Sequence, residues 1–416
     1  MNPQSVRGSA DQRSASAPAL TEADIRALIE RLAAIDRPSA SPGERRAAEL
    51  IAADLDQAGA HARLEDEDAH GGYWWPVGLP AALSALVARR GRLLATLVGM
   101  LGAAAVVDDI TGGNQLLRRR LLPRRRTTNV VAELGPADAE RNVLVVAHHD
   151  AAHSGLVFHP ELPRAALRRF PGLLERADTT PGTMWGAVAG PALVGVGALL
   201  GLRSARALGR VVCAAYAAAM ADIGLRGAVP GANDNLTGVA VLASLARSLL
   251  DEPLPAGLRV ILLSTGSEEA FMEGMQAFAR RHFGSLPPER THVICVDTVG
   301  SPRLVALEGE GMVWMNEYPK DFLALVQEEA ARLGIELVPN LRLRNATDGL
   351  VALRRGYPTA VFGSVDYLKI PTNYHWPTDT PDNVDYGTVA DCARLCDAVV
   401  RRLPTASRRG ESSGRA

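Results

Sequence analysis

Seven short strand-like runs set the strongest limit on the fold. They are "HARLEDE", "TNVVAEL", "NVLVVAHHD", "LRVILLSTGSEE", "THVICVDTVG", "RLVALEG" and "TAVFGSV". Several are unbroken stretches of β-branched and aliphatic residues, the composition of strands covered on both faces. Between them stand helical patterns such as "GVAVLASLARSLL", "EGMQAFARRHF" and "DFLALVQEEAARLG". Strands alternating with helices predict an α/β fold with a central, mostly parallel sheet flanked by helices. Ligand sites in such sheets lie beyond the carboxyl ends of the strands, so polar residues there are the first place to look for chemistry.

The pattern starts at "LTEADIRALIERLAAI", where Thr21 and Asp24 stand at the offsets of a capping box, and continues in a second helix with Ser41 and Glu44 at the same offsets and Gly59 at its end. The polar segments 1–19 and 404–416 read as disordered tails. The first of them lacks the apolar core of a secretory signal, which predicts no export. Cys213, Cys295, Cys392 and Cys396 show no framework spacing, as in a reducing compartment, and Cys392 and Cys396 read as packing residues. A formal charge of −1 gives no whole-chain field for nucleic acid, so none is expected as a partner.

Five strand ends or turns each carry a residue able to hold a metal: "AHHD" with His148, "GANDN" with Asp234, "STGSEEA" with Glu268 and Glu269, "CVDTVG" with Asp297, and "NYHWPTD" with His375. Each alone is a common loop residue; their joint occurrence at strand ends is not. The set resembles the zinc aminopeptidases of peptidase family M28, whose bridged pair of metals is held by an Ala-His-x-Asp, a Gly-x-x-Asp-Asn turn, a Glu-Glu pair, a strand-end Asp and a Tyr-His followed four residues on by Asp. The likeness covers most of residues 20–403.

The resemblance implies a three-layer sandwich and two Zn2+ ions per chain. His148 and Asp297 would hold one, Glu269 and His375 the other, and Asp234 would bridge them. It implies Glu268 as general base, Tyr374 as donor to the developing oxyanion, and Asp150 and Asp379 as acceptors for the far N–H of His148 and His375. The expected activity is metallo-aminopeptidase, with a peptide or aminoacyl compound as substrate. Alternatives are a catalytically silent scaffold of the same fold and a one-zinc cyclotransferase. His149 and His153 match no position of the pattern and read as pocket lining or loop surface.

Two apolar segments interrupt this domain. Residues 73–110 and 184–225 each read as a helical hairpin with arginines at its tip (Arg89, Arg90, Arg92; Arg203, Arg206, Arg210). The second lies within an insertion, 151–230, that separates His148 from Asp234 and whose first part reads as a lid. Spanning a bilayer takes ~20 apolar residues. Thr179–Leu202 meets that length, Gly71–Ala88 comes close, and Leu93–Val107 and Val211–Ala221 fall short. With Trp74, Trp75 and Trp185 at the ends, the expectation is a membrane-associated protein. Six arginines, Arg118, Arg119, Arg120, Arg124, Arg125 and Arg126, follow the first hairpin and favour a cytoplasmic catalytic domain. The alternative is a soluble cytoplasmic protein with the four helices as a cap; the oligomeric state is left open.

Overall fold

The computed structural model describes residues 20–169, 178–252 and 254–413, so the expected tail 1–19 lies outside the described residues. All seven runs are strands of one sheet. They are β1 (Ala62–Ala69), β2 (Arg125–Leu134), β3 (Arg141–His148), β4 (Leu258–Thr265), β5 (Thr291–Val296), β6 (Arg303–Ala306) and β10 (Thr359–Val365). Their order is β1-β2-β4-β3-β5-β10-β6. The four central strands pair in parallel, and antiparallel pairings add β2 and β1 on one side and β6 on the other. Composition explains the division. β3 and β4 are aliphatic and buried almost throughout, whereas β1, "ARLEDEDA", is partly exposed and suits an edge. Three two-residue strands, β7 (Gly309–Glu310), β8 (Asn316–Glu317) and β9 (Arg342–Leu343), form a second sheet that no sequence pattern announced.

Helices Glu22–Ala33, Pro42–Ala58, Thr237–Asp251 and Tyr386–Ser413 pack on one another beside the sheet. The last enters the segment expected as a tail. The first opens on the full capping box of Thr21 and Asp24. In the second, Ser41 accepts from Glu44 N and Gly59 closes the helix at φ 96°, but the Glu44 side chain does not return to the cap. It bonds to the loop before Glu268 instead, as described below. All four cysteines are buried thiols.

The two hairpins pack together as a four-helix bundle: Trp74–Val87 and Arg92–Ile110, then Trp185–Leu200 and Arg203–Leu225. Small residues meet inside it. A Cβ on Gly99 would stand 2.4 Å from Gly195 N, so only glycine permits this approach. Large apolar residues face outward, with Leu86, Leu93 and Leu101 being 71%, 75% and 69% exposed. At the tips, Arg206 donates to Ala88 O and Arg90 O, and Arg92 to Ala198 O and Leu199 O, so each hairpin caps the other's open helix end.

Helix lengths differ from the sequence expectation. Arg92–Ile110 and Arg203–Leu225 are long and apolar enough to cross a membrane, whereas Thr179–Leu202 contributes only the 16-residue helix Trp185–Leu200. Its first residues are extended, with Thr180 N donating to Arg342 O, and so never enter the helix. Conversely, Arg203, Arg206 and Arg210 are exposed or half-buried within the first turns of their helix and do not end it.

Candidate metal centre and active site

The polar residues at the carboxyl ends of the central strands converge. β3 ends on His148, whose Nε2 lies 3.2 Å from Asp234 Oδ1. Asp234 sits in the turn before helix Thr237–Asp251, and its Oδ2 is 3.2 Å from His375 Nε2. One carboxylate thus faces two imidazoles through separate oxygens. Glu269 Oε2 is 3.3 Å from His375 Nε2, and Asp297 Oδ2, just beyond β5, is 4.0 Å from His148 Nε2. The five residues expected as ligands therefore meet, with Asp297 on the His148 side, Glu269 on the His375 side and Asp234 between. Ligand atoms of His148, Asp234 and Glu269 lie within 4.8 Å of one another.

The donor set fits zinc. It offers imidazole nitrogens and carboxylate oxygens, the ligands zinc takes at ~2.0–2.2 Å. His375 Nε2 and Glu269 Oε1 are buried without a hydrogen-bond partner among the described residues, which a cation would satisfy. Electrostatics point the same way. Burial works against a charged His375, yet Glu269 and Asp234 outweigh it and push it up to about 10. Asp234, Glu268, Glu269 and Asp297 crowd one pocket that calls for positive charge.

Glu268 stands beside this group with Oε2 3.8 Å from His148 Nε2. Burial, with Asp297 and Glu269 adding to it, pushes its carboxyl well above the ordinary glutamate range despite His148. Asp150 Oδ1 is 3.4 Å from His148 Nδ1, and the Asp150 carboxylate accepts from the amides of Glu268 (3.0 Å) and Glu269 (3.2 Å) and from Ser39 Oγ (2.6 Å). Tyr374 stacks on His375 at 3.8 Å, and its hydroxyl accepts from Asn345 Nδ2 at 2.8 Å, which leaves the phenolic proton free to be donated.

Three expectations change. Asp379 does not reach His375; it accepts from Asn233 N (2.7 Å) and Asp234 N (3.1 Å) and so fixes the Asp234 turn. His149 is neither pocket lining nor surface. It is fully buried, with Nδ1 2.9 Å from Ser264 Oγ, and burial pushes it down to about 3. His153 packs on Trp74 at 4.4 Å and pairs with Arg226 O, tying the two hairpin bases together.

The connection between the first two helices and the first turn of the second build a cradle under the site that no sequence pattern revealed. Arg37 is fully buried and donates to His149 O (2.9 Å), Pro230 O (2.6 Å) and Gly231 O (2.7 Å), holding the His148 strand end to the Asp234 turn. Glu44 accepts from Ser267 N and Oγ, Thr127 Oγ1, Thr128 N and Ala40 N. Its carboxylate therefore anchors Ser267, whose backbone is left-handed (φ 52°), immediately before Glu268. Arg37 lies in a short inter-helix link that carries no periodic signal, and Glu44 in the first turn of the next helix, where sequence suggests only a cap; the fold buries both.

The sequence of residues 217–400 matches peptidase family M28, a segment that includes four of the five ligand candidates and starts after His148. No curated protein matches the sequence. Among solved structures, the fold is similar to that of a zinc-dependent exopeptidase from Parabacteroides distasonis. That match has TM-score 0.55 and 13% identity, covering 93% of this chain and 99% of that one. It is similar also to an aminopeptidase from Aneurinibacillus sp. strain AM-1 (TM-score 0.53, 15% identity, 92% and 94%). A glutaminyl cyclase from Bacteroides thetaiotaomicron is likewise similar (TM-score 0.56, 14% identity, 93% and 99%). At these identities the likeness speaks for the fold. Residues 217–400 thus match the model of peptidase family M28, and the chain shares the fold of these solved structures.

Proposed function

We propose that the protein is a metallo-aminopeptidase using two zinc ions. The observation that carries this reading is the position of Asp234, each of whose oxygens is 3.2 Å from a different imidazole, the arrangement a shared ligand needs. Zinc bound by His148 with Asp297, by His375 with Glu269, and by Asp234 on both sides would supply Lewis acidity and a water of lowered pKa. Glu268 takes a proton from the attacking water and returns it to the leaving amine as the C–N bond breaks; its raised affinity for a proton suits that relay. Tyr374, oriented by Asn345, donates to the carbonyl oxygen as it gains charge. Asp150 holds His148 and the Glu268–Glu269 backbone in one geometry.

The paired use of Asp234 favours this reading over a one-zinc cyclotransferase, and the presence of Glu268 beside it disfavours a silent scaffold. In Glu268→Gln, turnover should fall on the order of 10²- to 10⁴-fold with zinc content unchanged, the usual range for a lost general base. Retained turnover refutes the assignment.

The bundle is read as an anchor in a lipid bilayer. Its small residues inside and leucines outside invert the soluble pattern and match helix packing in lipid. Trp75 and Trp185 begin helices at the catalytic end and are 46% and 49% exposed, as at an interface. Arg119, Arg120, Arg124, Arg125 and Arg126 support a cytoplasmic catalytic domain, while Arg118 is buried on Asp109 and adds nothing to that count. Sedimentation with membranes, released only by detergent, is the expected behaviour; a detergent-free monodisperse supernatant means the helices are a soluble cap.

A further inference from the structure

The cavity in front of Glu268 is larger than one side chain requires. It measures about 480 Å³, within the ~300–1,000 Å³ of pockets that bury a whole small ligand. Its charged groups, Asp234, Glu268, Glu269, Asp297 and His375, belong to the metal centre, and no lysine or arginine lines it among the described residues. Elsewhere the lining is largely apolar, so a charged group deep in it would lose its water without gaining a partner.

Three of the apolar walls come from the segments that interrupt the domain. Tyr73 precedes the first hairpin and packs on Phe271 at 5.0 Å, two residues beyond Glu269. Phe158, in the insertion after β3, packs edge-on to His375 with ring centroids 4.6 Å apart. Met184 immediately precedes the second hairpin, at the end of a strap pinned by Thr180 N to Arg342 O (3.0 Å) and by Arg344 N to Thr180 Oγ1 (2.8 Å). The strap fixes where Met184 meets the cavity.

We propose that the cavity takes the apolar amino-terminal segment of a peptide, its first two side chains bulky and uncharged, and that Tyr73, Phe158 and Met184 select it. The inference rests on the aminopeptidase reading and assigns its substrate class. The amino terminus lies at the metal-centre end, beside the bond that is cleaved, and both side chains lie against the apolar walls.

The test uses the full-length, zinc-loaded protein and two peptides, Leu-Leu-Ala-Ala and Leu-Ser-Ala-Ala, together with analogues of each whose first peptide bond is reduced and cannot be hydrolysed. Burying the second leucine should raise kcat/KM, and tighten analogue binding by calorimetry, on the order of 10-fold or more. Met184→Ser and Phe158→Ala, each assayed for zinc content and folding, should shrink that ratio several-fold. A ratio within twofold in the wild type, or one unchanged in both variants, overturns the inference even if both peptides are cleaved. Selective binding of the Leu-Leu analogue without cleavage of either peptide leaves the inference standing and removes the peptidase reading instead.

Discussion

Replacing Arg37 with methionine removes a buried cation while roughly keeping its volume, and the structure sets the size of the effect. The guanidinium holds His149 O, Pro230 O and Gly231 O at 2.9, 2.6 and 2.7 Å. Gly231 O keeps a second donor in Leu236 N, at 3.4 Å, so two carbonyls lose their main partner. Each orphaned buried acceptor costs ~1–3 kcal/mol. Burial pushes Arg37 down to about 10, so it is charged at neutral pH, and Asp379, Asp150 and Asp234 face it. Removing one member of such a buried set typically costs ~3–5 kcal/mol. The two routes agree on about 3–5 kcal/mol, a large share of the ~5–15 kcal/mol that keeps a domain folded. Because Arg37 ties the His148 strand end to the Asp234 turn, zinc affinity should fall as well, by the ~10–100-fold typical of lost outer partners. Urea unfolding of the zinc-saturated protein, with competitive zinc titration, measures both. A loss under about 1 kcal/mol with zinc affinity within twofold of wild type would refute the cradle.

Other perturbations separate the parts of the account. Asp234→Ala should lose both zinc ions together and His375→Ala mainly one; independent loss of a single ion from the Asp234 variant contradicts the shared carboxylate. Burial pushes Glu310 from 4.5 up to about 8, so the folded chain binds that proton more tightly than the unfolded chain, and stability falls as pH rises through this window. At ~1.4 kcal/mol per unit the ceiling is about 5 kcal/mol. Glu310→Gln should flatten the stability change between about pH 5 and pH 8, and an unchanged profile by denaturant titration excludes Glu310 as its source. Gly99→Leu places a side chain against Gly195 and should lower the melting temperature in detergent, by the ~1–3 kcal/mol of overpacking; an unaltered melt means the helices do not pack as described.

The sheet was legible because its central runs are buried on both faces, so composition marks them, and the ligand candidates were legible because they sit where those runs stop. The cradle was not. Glu44 satisfied a local capping rule, and its first half is made, yet four donors from elsewhere in the fold, with the amide of Ala40 just before the cap, take its carboxylate from the cap backbone. The family resemblance assigned Asp379 to His375, whereas the turn carrying Asp234, 145 residues away, presents two amides to it. Helix ends in the hairpins escaped a hydropathy reading because arginines near a tip can lie inside a helix, as Arg206 does, when their guanidinium groups cap a neighbour.

The central claim is a two-zinc site that releases amino acids from free peptide amino termini. Its most direct measurement is zinc content per chain taken alongside product analysis on Leu-Leu-Ala-Ala, its N-acetylated form, and a peptide beginning with glutamine. The account predicts two zinc ions, leucine released from the unblocked peptide alone, and activity that disappears on chelation and returns with zinc. One zinc per chain, with ammonia released from the glutamine peptide and no leucine from the first, would contradict it.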